Sequence, residues 1–295
     1  MLRRSLLGFV LVMLAGCLLL GGQNPRPLSP LPNGGLRVAP FFDGWYPNAD
    51  GTITFSFGYS NLNPETIEIP LGPNNFIEPK QFDGRQPTSF PPGAPGADEG
   101  GAGRADRRGR ERGAFTVTVP AGFQDSVVWT LQLGGQTYKV PGTAKSGAYQ
   151  LRWPMAMGSI PPALRFTENG PAGHGPAGIQ GSPVRASVGT PLSLKIWIKD
   201  ESVREVEPVP VRPRQVRPAM NVTWFKHSGP PGPVAFSPQI EPINQLNSES
   251  TTSATFKQPG EYVIRVRADN FGRLDTSPGN QCCWTNGYVK VTVTP

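Results

Sequence analysis

The run Leu192-Ser-Leu194-Lys-Ile196-Trp-Ile198-Lys constrains the fold more than any other segment, because apolar and mostly polar residues alternate over eight positions. Successive side chains of a β-strand point to opposite faces, so the alternation predicts a half-buried strand whose leucines and isoleucines face a core. Other short runs of Val, Ile, Thr and aromatic residues are separated by glycine and proline, which contribute 36 and 35 of the 295 residues. This distribution is typical of an all-β protein with long Gly/Pro-rich loops.

The strand-like runs form two blocks, and we expect each block to fold as an antiparallel β-sandwich domain. The first domain covers 36–157, with strands predicted at 52–59, 66–70, 114–119, 127–131, 137–140 and 149–153. The second domain covers 182–295, with predicted strands that include 184–188, 192–199, 222–224, 252–256, 262–268 and 288–293. Residues 23–35 are predicted to form an extended tether, and 158–181 a Gly/Pro-rich linker between the domains.

The segment 91–113 interrupts the first domain and consists largely of glycine, proline, alanine and charged residues. Between Arg104 and Arg112 it holds five arginines and two acids, a composition that attracts anionic polymers or lipid headgroups. Glycine-rich charged segments without aromatic residues bury too little surface to become ordered. We therefore predict a flexible hairpin loop that binds no ligand.

The N-terminal residues have the pattern of an export signal, with Arg3 and Arg4 followed by an apolar run from Leu6 to Leu20. We predict a signal peptide over 1–22 and an extracytoplasmic location: periplasm, outer envelope or secreted. The run falls short of the roughly twenty residues of a membrane-spanning helix, so the protein reaches the membrane only through its signal or a lipid anchor.

Inside the apolar run, Leu14-Ala15-Gly16-Cys17 resembles the lipobox of bacterial lipoproteins. The resemblance implies cleavage before Cys17, acylation of that residue and a membrane tether made of lipid. Three leucines follow the cysteine, whereas lipoproteins of this type usually continue into a polar tether. Cleavage by an ordinary signal peptidase near Gly22-Gln23, with release of the protein, therefore remains the alternative.

The second domain combines four features: the alternating strand 192–199, Trp224 on the next strand, the sequence Pro259-Gly260-Glu261-Tyr262 and a final Val-x-Val-x-Val strand. Together they resemble an immunoglobulin-like sandwich of bacterial surface proteins, including PKD-like modules. The resemblance implies that Trp224 is the core tryptophan and that Tyr262 forms a tyrosine corner. The cysteine pair that often joins the two sheets of such a sandwich is missing from the sequence.

Cys17 leaves the mature chain or carries the lipid, so Cys282 and Cys283 are the remaining cysteines of the fold. Adjacent cysteines in an oxidising compartment form a strained vicinal disulfide, bond to another chain or stay as thiols. We favour a vicinal disulfide that stiffens the loop before the last strand over free thiols and over a redox or metal role. The two histidines, His174 and His227, lack the spacing of metal ligands, and no cofactor is predicted.

Two pairs of strand-end residues form a candidate site for calcium. Asp200 and Glu201 end the second strand, and Asp269 and Asn270 end the sixth. In an immunoglobulin-like sandwich the loops after these strands emerge at the same end, so hard oxygen ligands would converge there. The alternative is that these residues only form turns, which Asp and Asn favour.

The same topology places 203–218 and 271–284 at one end of the second domain, because they join its second and third and its sixth and seventh strands. Loops on a rigid scaffold commonly carry binding function, so we predict that this end is the partner-binding surface. The alternative is that both loops are variable decoration. The candidate binding residues are Arg212, Arg214, Arg217, Phe271, Arg273 and Trp284.

Catalytic motifs are missing: the sequence has no Gly-x-Ser-x-Gly, no His-Glu-x-x-His, no phosphate-binding glycine loop and no Cys-x-x-Cys. We predict no enzyme activity, although a catalytic carboxylate pair stays open among the 21 acids. The net charge of +7 falls to +5 without Arg3 and Arg4, which indicates a solvated surface and no nucleic-acid partner.

The sequence thus predicts a non-catalytic cell-envelope or secreted protein that acts as a binding or spacer module. Its partner would be an envelope protein or a glycan, and its oligomeric state is left open. The alternative is an accessory carbohydrate-binding protein associated with polysaccharide breakdown. The first domain adds only that 57–63 and 72–75 resemble an uncharacterised secreted bacterial family, to which no activity attaches.

Overall fold

The computed structural model describes residues 37–92, 110–151, 159–203, 218–270 and 283–295. These residues form β-strands and two 3₁₀ turns, at Lys80–Phe82 and Gly147–Tyr149, which confirms the predicted all-β fold class. Within the described ranges, no helix is long and apolar enough to cross a membrane. In chain order the strands are β1 (Val38–Pro47), β2 (Ile53–Asn61), β3 (Ile67–Glu68), β4 (Asn75–Glu78), β5 (Ser89–Phe90), β6 (Arg110–Val119), β7 (Val127–Leu133), β8 (Gln136–Gly142), β9 (Ala163–Arg165), β10 (Ile179–Gln180), β11 (Val184–Ser187), β12 (Leu192–Lys199), β13 (Met220–Ser228), β14 (Ala235–Ser237), β15 (Ile240–Ile243), β16 (Asn247–Thr255), β17 (Gly260–Asp269) and β18 (Trp284–Thr294).

The first sandwich packs around aromatic residues at alternating positions of its strands. Its sheets, β1-β2-β6 and β4-β7-β8, are antiparallel and face each other, while β3 and β5 form a separate short pair. In β2, Phe55, Phe57 and Tyr59 join one core because every second residue of a strand shares a face. Phe57 stacks on Phe115 of β6 at a ring distance of 5.2 Å, and Phe115 meets Trp129 of the facing sheet edge-on at 4.9 Å.

The second sandwich has the immunoglobulin-like topology that the resemblance implies. One sheet runs β14-β16-β12-β9, and the other runs β10-β18-β17-β13-β15, with β11 parallel to β18. The alternating strand β12 turns Ile196 and Ile198 into the core, where Trp224 is 1% exposed. Tyr262 Oη donates a hydrogen bond to the backbone oxygen of Gln258 at 2.9 Å, which is the geometry of a tyrosine corner.

Two segments that the sequence assigned to loops contain strands. The predicted insertion 91–113 ends too late, because β6 already begins at Arg110 and buries Glu111 in an ion pair. The described residues of 158–181 do not form the predicted linker, because β9 pairs with β12 and β10 pairs with β18. Leu164 of β9 is fully buried in the core of the second sandwich, so this segment belongs to that fold unit.

One further local difference concerns the first sandwich. The strand predicted at 149–153 is missing from its described part, where Tyr149 ends a 3₁₀ turn and Gln150 makes a single bridge to Trp45. The bridge joins residues more than 100 positions apart, and such distant contacts override local pattern. Ahead of β4, Gly72 and Asn75 close a tight turn, and the buried Asn75 side chain donates hydrogen bonds to the backbone oxygens of Ile69 and Pro87.

Candidate functional site

The sheet that contains β13, β17 and β18 is buried on both faces. Its inner face contributes Ile264 and Val266 to the core of the second sandwich. Its outer face lies against β6 of the first sandwich, as the hydrogen bonds between them demonstrate. Arg265 and Arg267 flank Val266 in sequence and therefore point to the outer face, where they are 2% and 5% exposed. The described residues of both sandwiches belong to one compact unit.

A buried ion cluster occupies this junction between the sandwiches. Glu111 Oε1 accepts hydrogen bonds from Arg265 Nη2 at 2.6 Å and from Arg267 Nη1 at 2.8 Å. Arg267 Nε lies 3.2 Å from Asp269 Oδ2, and the Arg265 guanidinium lies 4.1 Å from the ring centre of Phe225. Burial raises the pKa of Asp269, against the opposing effect of Arg267. Two arginines thus face two carboxylates, and the ionised groups of the cluster are all paired, as burial requires.

Neutral hydrogen bonds extend the junction on both sides of the cluster. Asn286 Nδ2 donates to the backbone oxygen of Gly113 at 2.7 Å and to that of Pro176 at 2.8 Å. Tyr288 Oη donates to the backbone oxygen of Ala114 at 3.3 Å, and burial raises the pKa of this tyrosine to about 12. Backbone groups of the first sandwich therefore depend on side chains of the second for their hydrogen bonds.

A bulge in β6 presents Glu111 and Gly113 to the junction. The register between β2 and β6 shifts at this point, and Gly113 has a φ of +55°. A Cβ atom on Gly113 would overlap the indole of Trp284, so only glycine fits here. Asp43 fixes the bulge, because its carboxylate accepts from Gly113 N at 2.8 Å and from Arg110 Nη2 at 3.0 Å. Burial raises the pKa of Asp43, and Arg110 opposes that rise.

A second set of contacts joins β13 to the first sandwich. Lys226 Nζ lies 3.0 Å from Glu68 Oε1, and the backbone nitrogen of Thr88 donates to the oxygen of His227 at 2.9 Å. His227 Nε2 lies 2.9 Å from the backbone oxygen of Arg85, which only accepts, so Nε2 carries the proton. Burial lowers the pKa of His227 to about 4, and the imidazole is neutral at pH 7.

The junction contains a small cavity of about 10 Å³, which is room for a single water molecule. The buried charges therefore hold two surfaces together and leave no space for a substrate in this cavity. Residues that line it include Tyr59, Ser89, Phe225, Lys226, His227 and Arg265.

The described ends of the two predicted binding loops lie at one end of the second sandwich. Asp269 is the register partner of Trp284 on one side and of Asn221 on the other, so the ends of β13, β17 and β18 meet there. The prediction that Trp284 lies on a loop surface is wrong. It begins β18, is 1% exposed and packs on Gly113 in the junction. The other candidate binding residues lie outside the described residues: Arg212, Arg214, Arg217, Phe271 and Arg273.

The four calcium candidates have protein partners. Asn270 Nδ2 donates to Asp200 Oδ1 at 2.9 Å, which brings the ends of β12 and β17 together. Asp269 pairs with Arg267 in the ion cluster, and Glu201 Oε1 lies 3.2 Å from Lys199 Nζ. Across the part of the chain that the structure describes, no group of three or more His, Cys, Asp or Glu is placed to hold a metal ion.

Cys283 is fully buried and takes part in a disulfide bond. Cys282, its predicted vicinal partner, lies outside the described residues, as does the lipidation candidate Cys17. The vicinal pairing and the acylation therefore stay predictions.

Sequence reasoning missed the residues of the ion cluster. Arg265 and Arg267 alternate with apolar residues, which is the pattern of a strand with one wet face, and Glu111 lies in a run rich in arginine and glycine. One signal was available. The flanking strands place Phe225 and Tyr288 opposite Arg265, and two aromatic residues on one sheet face argue against a fully solvated surface.

No protein-family model and no curated protein matches the sequence. Among solved structures, the D00-D0 domain of intimin is similar at 9% identity and a TM-score of 0.27, covering 88% of this chain and 100% of that chain. Domains 4 and 5 of the S-layer protein SbsC are similar at 14% identity and a TM-score of 0.24, covering 60% of this chain and 69% of that chain. Similarity at this level carries no functional argument, so the fold assignment rests on the topology described above.

Proposed function

We propose that this chain is a non-catalytic protein of the cell envelope or the extracellular medium, in which two β-sandwich domains form one rigid binding or spacer module. The observation that carries the proposal is the buried ion cluster at the junction between the sandwiches, in which the charged groups of the two sandwiches are paired. A rigid module holds whatever it presents at a fixed distance and angle, which is what a spacer or a binding scaffold requires.

The contacts at the junction support a fixed orientation. Domains that meet through a small, solvated interface move relative to each other by default. Glu111, in contrast, is 3% exposed, and both of its arginine partners come from the other sandwich. Tilting the sandwiches would separate the carboxylate from Arg265 and Arg267 and leave buried charge unpaired, which is strongly destabilising.

Calorimetry combined with small-angle X-ray scattering tests the rigid module. We expect the mature protein to unfold in one cooperative transition and to scatter as a single compact particle. Glu111→Ala should loosen the junction and produce two transitions or a larger radius of gyration. The matched control is Glu249→Ala, which removes an exposed ion pair with Lys195, whose Nζ lies 3.1 Å from Glu249 Oε2. Two independent transitions in the wild-type protein would contradict the proposal.

The proposed location is supported by the basic start, the apolar run and the lipobox-like sequence before Cys17. If acylation of Cys17 is the anchor, Cys17→Ser releases the protein from membranes in cell fractionation. An intact mass that begins near Gln23 and carries no lipid would instead support secretion or release into the periplasm. Either result keeps the protein outside the cytoplasm, whereas full retention of an uncleaved chain in the cytosol would contradict the location.

The proposed binding surface is the loop end of the second sandwich, formed by 203–218 and 271–283. Its support is that the described ends of both segments lie together at the ends of β13, β17 and β18. Phe271→Ala with Arg273→Gln should reduce binding to isolated cell-envelope fractions. Trp284→Ala is unsuitable for this test, because that indole is buried in the junction. Unchanged binding by a folded double variant would discard this surface.

A further inference from the structure

The outer face of the sheet β14-β16-β12-β9 carries polar side chains around one tryptophan. Trp197 lies on β12 between Lys195 and Lys199 and is partly exposed, because alternation turns it away from the core. The register places Arg165 of β9 directly beside Trp197 on one side and Glu249 of β16 on the other. Small hydroxyl and amide side chains complete this face: Ser193, Asn247, Thr251 and Ser253.

Charge on this face is balanced except beside the indole. Lys195 Nζ binds Glu249 Oε2 at 3.1 Å, and Lys199 Nζ binds Glu201 Oε1 at 3.2 Å. Within the described ranges, Arg165 has no carboxylate partner. Register partners on adjacent strands have Cβ atoms about 5 Å apart. Arg165, which has no counter-ion within those ranges, is therefore the cross-strand neighbour of the partly exposed Trp197, and Lys195 Nζ lies 5.5 Å from the centre of the Trp197 ring.

We propose that Trp197 and Arg165 bind a uronic-acid residue of an acidic polysaccharide. The C–H groups on one face of a pyranose ring carry partial positive charge and pack on the electron-rich face of an indole. The carboxylate of the same sugar accepts charge-assisted hydrogen bonds from a guanidinium, whose planar fork matches its two oxygens. One uronic-acid residue thus satisfies both side chains at the spacing that the ladder imposes.

The rest of the face favours this occupant over others. Ser193, Asn247 and Thr251 are exposed and offer donors and acceptors to sugar hydroxyl groups. A neutral glycan would leave the charge of Arg165 unused. A protein partner is disfavoured, because stable protein interfaces have an apolar centre with several large side chains and this face has one.

This site goes beyond the spacer function and does not depend on it. The junction lies on the sheet of β13, β17 and β18, whereas Trp197 and Arg165 lie on the other sheet of the second sandwich. A failure of saccharide binding would leave the single unfolding transition of the rigid module unaffected, so the two proposals fail separately.

Isothermal titration calorimetry of the mature protein tests the site with two probes: a hexamer of galacturonic acid and the same hexamer with its carboxylates reduced to alcohols. We expect binding of the acidic hexamer and roughly tenfold weaker binding of the reduced one, because a charge-assisted hydrogen bond is lost. Arg165→Gln should lower the affinity for the acidic hexamer roughly tenfold and leave the affinity for the reduced hexamer unchanged. Trp197→Ala should weaken both probes, and Trp197→Phe should restore part of the affinity.

Arg185→Gln is the matched control, because it removes an exposed arginine from β11 of the opposite sheet. It should bind both probes like the wild-type protein. Melting temperatures of the Trp197 and Arg165 variants should match the wild type, which separates lost binding from lost folding. No binding of the acidic hexamer at millimolar concentration, or equal affinity of wild-type and Trp197→Ala, would overturn the proposal. Equal affinity for the two hexamers would overturn the assignment to uronic acids.

Discussion

The two faces of the sheet formed by β13, β17 and β18 are both buried, yet they are held in opposite ways. The inner face packs Trp224, Ile264 and Val266 against the facing sheet and removes apolar surface from water. The outer face pairs Arg265 and Arg267 with a carboxylate of the first sandwich. The same strands build both contacts, because side chains alternate between the faces.

The difference between these faces separates stability from specificity. Apolar packing is non-directional and tolerates small shifts, so it stabilises the sandwich without dictating one exact contact. A carboxylate shared by two arginines satisfies all three groups in a narrow range of geometries, and buried polar groups without partners are costly. We infer that the inner face supplies most of the folding free energy, whereas the outer face fixes how the sandwiches meet.

The largest expected effect concerns the inner face. Trp224→Ala should lower the free energy of unfolding by about 3 to 5 kcal/mol, because it removes a buried aromatic side chain and leaves a cavity. Trp197→Ala, on the same sandwich but on the outer face of the other sheet, should cost less than about 1 kcal/mol. Urea denaturation followed by circular dichroism measures both. Equal losses would mean that burial of Trp224 contributes nothing beyond that of a surface tryptophan.

The ion cluster on the outer face should respond almost as strongly. Glu111→Ala leaves Arg265 and Arg267 buried without their shared counter-ion and should cost about 3 kcal/mol. Glu249→Ala breaks an exposed pair with Lys195 and should cost less than about 1 kcal/mol. Replacing Glu111, Arg265 and Arg267 by leucine or methionine, together with Asp269→Asn, should recover most of the loss, because no unpaired charge of the cluster remains. A quadruple variant as unstable as Glu111→Ala would contradict this account of the cluster.

The inner face could be predicted from the sequence, and the outer face could not. Apolar residues alternate with polar ones in β12 and β17, and Trp224 lies between these strands in sequence. This pattern identified the second sandwich, because a strand with one buried face has an apolar residue at every second position. Arg265 and Arg267 obey the same period, but a charged residue at alternate positions looks the same whether it meets water or a distant carboxylate. Its partner Glu111 is more than 150 residues away in sequence, which no local pattern records.

Trp284 and the segment 159–181 illustrate the same limit. An aromatic residue before the last strand looks like a loop residue until the facing Gly113, in the other sandwich, is known to accommodate its indole. The glycine and proline residues of 159–181 suggest a linker, but β9 needs only three residues to extend a sheet and bury Leu164. Both features depend on a surface formed elsewhere in the chain.

A pH dependence should distinguish the junction from the apolar core. His227 has a pKa lowered to about 4 by burial, so the unfolded chain, with a pKa near 6.5, binds a proton that the folded protein excludes. This contribution is complete above pH 6.5 and is lost as the pH falls towards 4, with about 2 kcal/mol lost between pH 7 and pH 5. Burial raises the pKa values of Asp43 and Asp269, so these carboxylates bind protons more readily in the folded protein than in the unfolded chain. Through these two groups, acidification therefore increases the free energy of unfolding.

The comparison of wild type with His227→Gln isolates the histidine from those carboxylates. Glutamine keeps a donor for the backbone oxygen of Arg85 and does not titrate. Urea denaturation at pH 7, 6 and 5 should therefore give a steeper loss of stability in the wild type than in the variant. Parallel curves would mean that His227 accepts its proton in the folded state.

The smallest effect is expected at the tyrosine corner, which belongs to the inner face but is held by a directional bond. Tyr262→Phe keeps the ring that packs 4.9 Å from Phe256 and removes only the hydrogen bond to Gln258, so it should cost about 1 kcal/mol. Tyr138→Phe is the control, because within the described residues the Tyr138 hydroxyl forms no hydrogen bond. Urea denaturation resolves this difference. A loss as large as that of Glu111→Ala would place a specificity contact inside the apolar core and remove the distinction between the two faces.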